Sequence, residues 1–161
     1  MTTGNGSPIP PADPITAATV FDEGAALDGV VETLVDGVRG YRTAASTVAD
    51  AELAGVLREL ANKRRIAVEN LVRVAADQGA TISAELDGTA AGGVHRAWIE
   101  IEGTVAGDGS ILKSAKNGEE HALEECEELL RAGIGEPIAG AVREAAADIR
   151  EAIATLDKHI D

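Results

Sequence analysis

Aromatic rings and thiols are almost missing from this chain. Among its 161 residues only Phe21, Tyr41 and Trp98 are aromatic, and Cys126 is the sole cysteine. A lone cysteine rules out an internal disulfide, which fits a reducing compartment. So few rings exclude a core built on large aromatic side chains. Basic residues are also in deficit, leaving a formal charge of −14. That balance argues against a nucleic-acid partner, because holding a polyanion relies on Lys and Arg at the phosphates. It argues equally against anionic membrane surfaces. No stretch approaches the roughly 20 apolar residues of a membrane span, and no basic n-region leads into an apolar core at the N-terminus. The expectation is a cytoplasmic protein with neither membrane nor nucleic acid as partner. Acidity is compatible with cation binding, but its plainer meaning is solubility.

What is present is four seams of apolar residues at alternating steps of three and four. They read Leu27, Val31, Leu34, Val38, Tyr41, Ala45, Val48; then Leu53, Leu57, Leu60, Ala67, Leu71, Val74; then Leu112, Ala115, Ala122, Cys126, Leu129; then Ile138, Val142, Ala145, Ile149, Ala152, Leu156. Such spacing keeps side chains on one stripe of a helix, which must be buried against other helices. Interfaces rich in Ala and Gly let backbones approach closely, so few rings are needed. A chain of this length can bury a useful core without staples.

Four of the five prolines fall within residues 1–20, so this stretch is expected to be a disordered tail ahead of a bundle domain at 21–161. Helix 1 is expected over about Gly24 to Val48. Asp50 is placed to cap helix 2, which continues to about Gln78 before Gly79 stops it. Residues 80–93 form a small-residue connection. Val94, Trp98, Ile101 and Val105 then begin a further helical stripe, with His95 helping to start it. Gly107-Asp108-Gly109 interrupts helix 3, Ser110 can cap its continuation to about Arg131, and Gly133 and Gly135 end it. Pro137 suits the first turn of helix 4. Two short turns and one longer middle link make an all-α, ferritin-like four-helix bundle with helix 3 interrupted near Gly107–Gly109. The link length leaves open whether helix 3 runs parallel or antiparallel to helix 2.

Asp36-Gly37 with Gly40-Tyr41 resembles a "DG..GY" signature, His95-Arg96-Ala97-Trp98 an "HR.W" element, and Gly118-Glu119-Glu120 with Ala122-Leu123 a "GE(D/E).AL" stretch. In this order they are similar to the bacterial DUF2383 family of four-helix-bundle proteins, over roughly residues 27–131. The resemblance implies a ferritin-like fold, a stress-related role, and a question about metal. It also implies acidic residues where this chain has Val38 and Lys116, so two ligand positions are lost here.

A di-metal carboxylate site needs two Glu and two Glu-x-x-His motifs on facing helices. This chain has no Glu-x-x-His: Gly92, Gly118 and Leu156 stand three residues before His95, His121 and His159. Instead the second seam carries Arg64 inward and the third carries Glu119 inward, both near mid-helix. The spacing predicts a buried Arg64–Glu119 ion pair at mid-bundle. The plainer alternative is an arginine snorkelling to solvent and a glutamate at the stripe's edge. Tyr41 and Trp98 read as packing residues, and Asp36 beside Gly37 and Gly40 as a close helix approach. Cys126, between Glu124, Glu125, Glu127 and Glu128, reads as a small core residue with little thiolate character. The six glutamates from Glu119 to Glu128 face the basic Lys63, Arg64 and Arg65 of helix 2, as partners or as solvated faces.

Two function classes follow. The favoured one is a non-catalytic structural or interaction module without cofactor, forming a homodimer or higher homo-oligomer. The rival is an iron-handling or other divalent-cation protein, with ligands drawn from Glu119, Glu120, His121, Glu124 and Glu69. His121, with Glu124 and Glu125 at i+3 and i+4, is its most compact element. No phosphate loop, nucleophile elbow or Ser-His-Asp set is present.

Overall fold

The computed structural model describes residues 22–84, 86 and 107–160. The expected tail at 1–20 and the stripe holding His95 and Trp98 lie outside the described residues. Among the described residues there are four long helices and no strand: α1 Glu23–Thr47, α2 Ala51–Asp77, α3 Asp108–Ala132 and α4 Ile138–Asp157.

The helix ends follow from local chemistry. Asp22 and Asp50 cap α1 and α2, accepting from the amides of Ala25 at 3.1 Å and Leu53 at 2.8 Å. Gly79 and Gly133, at φ 77° and 92°, take the left-handed turns that end α2 and α3. Two expected starts are corrected. Ser110 does not cap α3, because Gly107 holds the cap position and the Ser110 amide already donates to the Gly107 carbonyl. Pro137 stands at the cap of α4 rather than inside its first turn, where its missing N–H costs nothing either.

α1 packs against α2 and α3, and α4 packs against the same two, so α1/α4 and α2/α3 are the diagonals of the bundle. Direction is set by Asp108 at the head of α3. Its carboxylate accepts from the amides of Ala49 and Asp50 at 2.9 and 3.0 Å, in the turn between α1 and α2. α3 therefore starts where α2 starts, and the two run parallel across the diagonal. All four adjacent pairs are antiparallel, the up-down-down-up order of bundles with one crossover link.

Two apolar clusters fill the interior. One gathers Leu27 to Val35 with Leu71, Cys126, Leu129 and Ile149; the other gathers Tyr41, Leu57, Ile111, Leu112 and Leu156. The seams are buried as spaced, apart from their half-buried ends at Val48 and Ile138 and one drift. On α2, Val68 and Ala75 are buried while Ala67 and Val74 are only half-buried. A straight helix turns by 3.6 residues, so a stripe read at 3.5 slips sideways over several turns.

Candidate functional site

Where the two apolar clusters meet, the interior turns polar. Thr33 and the Tyr41 hydroxyl aside, Arg64 and Glu119 are the buried polar side chains among the described residues, each 3 % exposed. Arg64 comes from α2 and Glu119 from α3, the diagonal pair, so their ion pair crosses the bundle axis. Arg64 Nη2 donates to Glu119 Oε2 in a buried, charge-assisted hydrogen bond.

The neighbours explain how a guanidinium fits here. Gly37 on α1 leaves the room it needs: a Cβ at that position would stand 3.0 Å from Arg64 Nη1. Tyr41 lies one turn further along the same face of α1. Its buried hydroxyl feels the Glu119 carboxylate, yet it makes no hydrogen bond of ordinary geometry. Cys126, two turns beyond Glu119 on α3, is fully buried close by.

The electrostatics follow from burial. Loss of water pushes the Glu119 carboxyl up from its ordinary value, with the Arg64 charge opposing. Burial, reinforced by Glu119, pushes the Tyr41 hydroxyl up as well. The Cys126 thiol is pushed up to about 11 by burial, against the pull of Arg64, so it stays a thiol and a poor nucleophile. Beside Arg64, between Leu60 and Ala152, a void of about 10 Å³ has room for at most one water.

The residues considered for a metal do not converge. Glu119 is committed to Arg64. Glu120 is exposed and 3.8 Å from Lys116. His121 is exposed and faces Glu125 at 3.3 Å, while Glu124 points to solvent. Glu69 pairs with Arg65 along α2, on the helix diagonal to α3. No cluster of three or more metal-ligating side chains exists among the described residues. Of the alternatives for the helix 2 cations and the helix 3 glutamates, general pairing within the bundle is not what the described residues make. Only Arg64 reaches across, whereas Lys63 bonds Glu151 on α4 at 3.0 Å and Glu127 takes Arg150 of α4 at 2.8 Å. Diagonal helices leave no shared surface edge for such pairs.

Arg64 and Glu119 were legible in the sequence because each interrupts an apolar stripe. The part played by Gly37 was not, since a helical glycine shows only that something comes near, and what comes near belongs to another helix. A family model described as Domain of unknown function (DUF2383) matches residues 22–132, from the cap of α1 to the end of α3. No curated protein and no solved structure matches the chain.

Proposed function

The chain belongs to the DUF2383 family, a domain of unknown function, and from that premise we propose that it works as a non-catalytic helical-bundle module with a structural or interaction role. The observation that carries this reading is the use made of the bundle centre. A cation and an anion supplied by the chain itself neutralise each other there, so the central carboxylate already has its counter-ion. The stress-related setting, a cytoplasmic location and assembly into a homo-oligomer belong to the same proposal. A long, largely neutral-cored bundle offers outer helix faces for contact, and its one thiol, Cys126, is buried. No described helix is long and apolar enough to cross a membrane.

The test separates this module from a cation-handling protein. Purified protein is incubated with Fe(II) or Zn(II), desalted, and assayed for retained metal and for thermal stability. The proposal expects no stoichiometric retention and no shift in melting. Retention near one ion per chain that vanishes in Glu119→Ala would reverse it.

A further inference from the structure

On the outer edge where α1 meets α2, toward the turn that joins them, lies a hollow of about 350 Å³. Buried Ala45 of α1 and Ala61 of α2 belong to its lining, with three arginines, Arg42 from α1 and Arg58 and Arg65 from α2. No carboxylate is among its described lining residues. In a chain with 28 acidic residues against 14 Lys and Arg, partners are plentiful: Arg39, Arg65, Arg73, Arg143 and Arg150 each hold a carboxylate. Arg42 and Arg58, both exposed, hold none among the described residues. Spacing along the helix explains this. Side chains meet at three or four residues' separation. Arg42 has Val38, Arg39, Ala45 and Ser46 at those positions, and Arg58 has Ala54, Gly55, Ala61 and Asn62. Glu59 follows Arg58 directly, but it lies roughly 100° round the helix, where its charge acts on Lys63. Arg65 brings geometry rather than net charge. It pairs with Glu69 and donates to Asn62 Oδ1 at 2.9 Å, which leaves Asn62 Nδ2 as a neutral donor in the lining.

We infer that this hollow binds a doubly charged phosphoryl group, as the free anion or on a small monoester. Phosphate near neutral pH carries close to two negative charges, which matches the two guanidiniums left without a carboxylate. The planar guanidinium fork fits phosphate oxygens in pairs, and Asn62 adds a further donor. The volume admits a small ligand, and the overall charge of −14 holds long polyanions away. Like charges brought together from two helices repel, so a bound dianion also steadies the edge between α1 and α2. The site is separate from the Arg64–Glu119 pair, and it gives the module a ligand that a purely structural role would not need.

The full chain is titrated against inorganic phosphate and against methyl phosphate, the first probing the free anion and the second a monoester. Phosphorus NMR at fixed ionic strength, above the second phosphate pKa, follows binding. Saturation at one ligand per chain is expected for at least one probe. Arg42→Gln and Arg58→Gln should each weaken it by about tenfold or more, the loss of one charge-assisted hydrogen bond. Arg73→Gln removes an exposed arginine held by Asp77 outside the hollow and should leave the affinity unchanged. Should one hollow variant lose its helical circular dichroism, the other carries the test. A shift that rises without saturating would overturn the inference, as would folded hollow variants that bind like the parent. An equal loss in Arg73→Gln would mark diffuse surface charge and overturn it too. Phosphate that acts by splitting a dimer, seen by size-exclusion chromatography, would assign the arginines to the acidic surface of a second copy and overturn it equally. None of these readouts depends on metal retention.

Discussion

Arg64 and Glu119 are costly residues to bury singly and tolerable as a pair. Breaking a buried ion pair by removing one partner leaves an uncompensated charge and typically costs about 3–5 kcal/mol, whereas replacing both by apolar groups is often close to neutral. Arg64→Met and Glu119→Leu should therefore each lower unfolding free energy by about that amount, and the double variant by much less than their sum. Denaturant melts of the four proteins measure the coupling; a value near zero would show that the pair carries no net interaction. The pH dependence has a definite sign. Burial raises the folded-state pKa of Glu119 above its unfolded value, so folding favours the protonated form. Its stabilising contribution is complete below the unfolded pKa and is lost as pH rises through the interval up to the folded pKa. Arg64 is the charge that opposes this rise. In Arg64→Met the interval should widen upward, so the variant's deficit against the parent should be larger at about pH 8 than at about pH 5. Melts at both pH values decide; a deficit that grows toward acid would contradict the assignment.

On the scale of a helix, Gly37 sets local propensity against interior room. Glycine inside a helix costs about 1 kcal/mol relative to alanine, and α1 carries Gly37 in its middle, where a Cβ would press on Arg64 Nη1. That nitrogen belongs to a guanidinium held by Glu119, so it cannot retreat without disturbing the pair. Gly37→Ala should destabilise the parent protein yet stabilise the Arg64→Met background by about 1 kcal/mol. The same sign in both backgrounds, read from thermal or denaturant melts, would refute this account of the glycine. The helix ends illustrate what an element carries in its own letters. Asp50 and Gly79 act within a turn of their position, and both were readable there. Asp108 was readable only as part of a glycine-flanked break, because the amides it serves belong to the turn between α1 and α2.

At the scale of the molecule, α4 closes what the other helices leave open. The family match ends at residue 132, but Val142, Ala145, Ile149, Ala152 and Leu156 of α4 are all buried in the two clusters. A chain stopped after Ala132 would present the apolar sides of α2 and α3 to water. It should lose cooperative thermal melting or associate, as circular dichroism and size-exclusion chromatography would show; a monomer with a sharp melt would mean that three helices suffice. The residues proposed as metal ligands are also spread apart at this scale. Glu119, Glu120, His121 and Glu124 follow one another along α3, yet successive residues on a helix point in different directions, and Glu69 sits on the diagonal helix.

The four described helices, their limits within a residue or two, the inward stripes and the two charged residues that interrupt them were all carried by the sequence, because each depends on spacing within one segment. The partner of Arg64 was legible only as an expectation from matching levels. The order of the helices around the bundle, the parallel run of α2 and α3, and the room that Gly37 leaves for a guanidinium were decided by the tertiary structure. These depend on how separate segments meet in space, and a side chain's spacing along its own helix carries no record of which neighbour it will face.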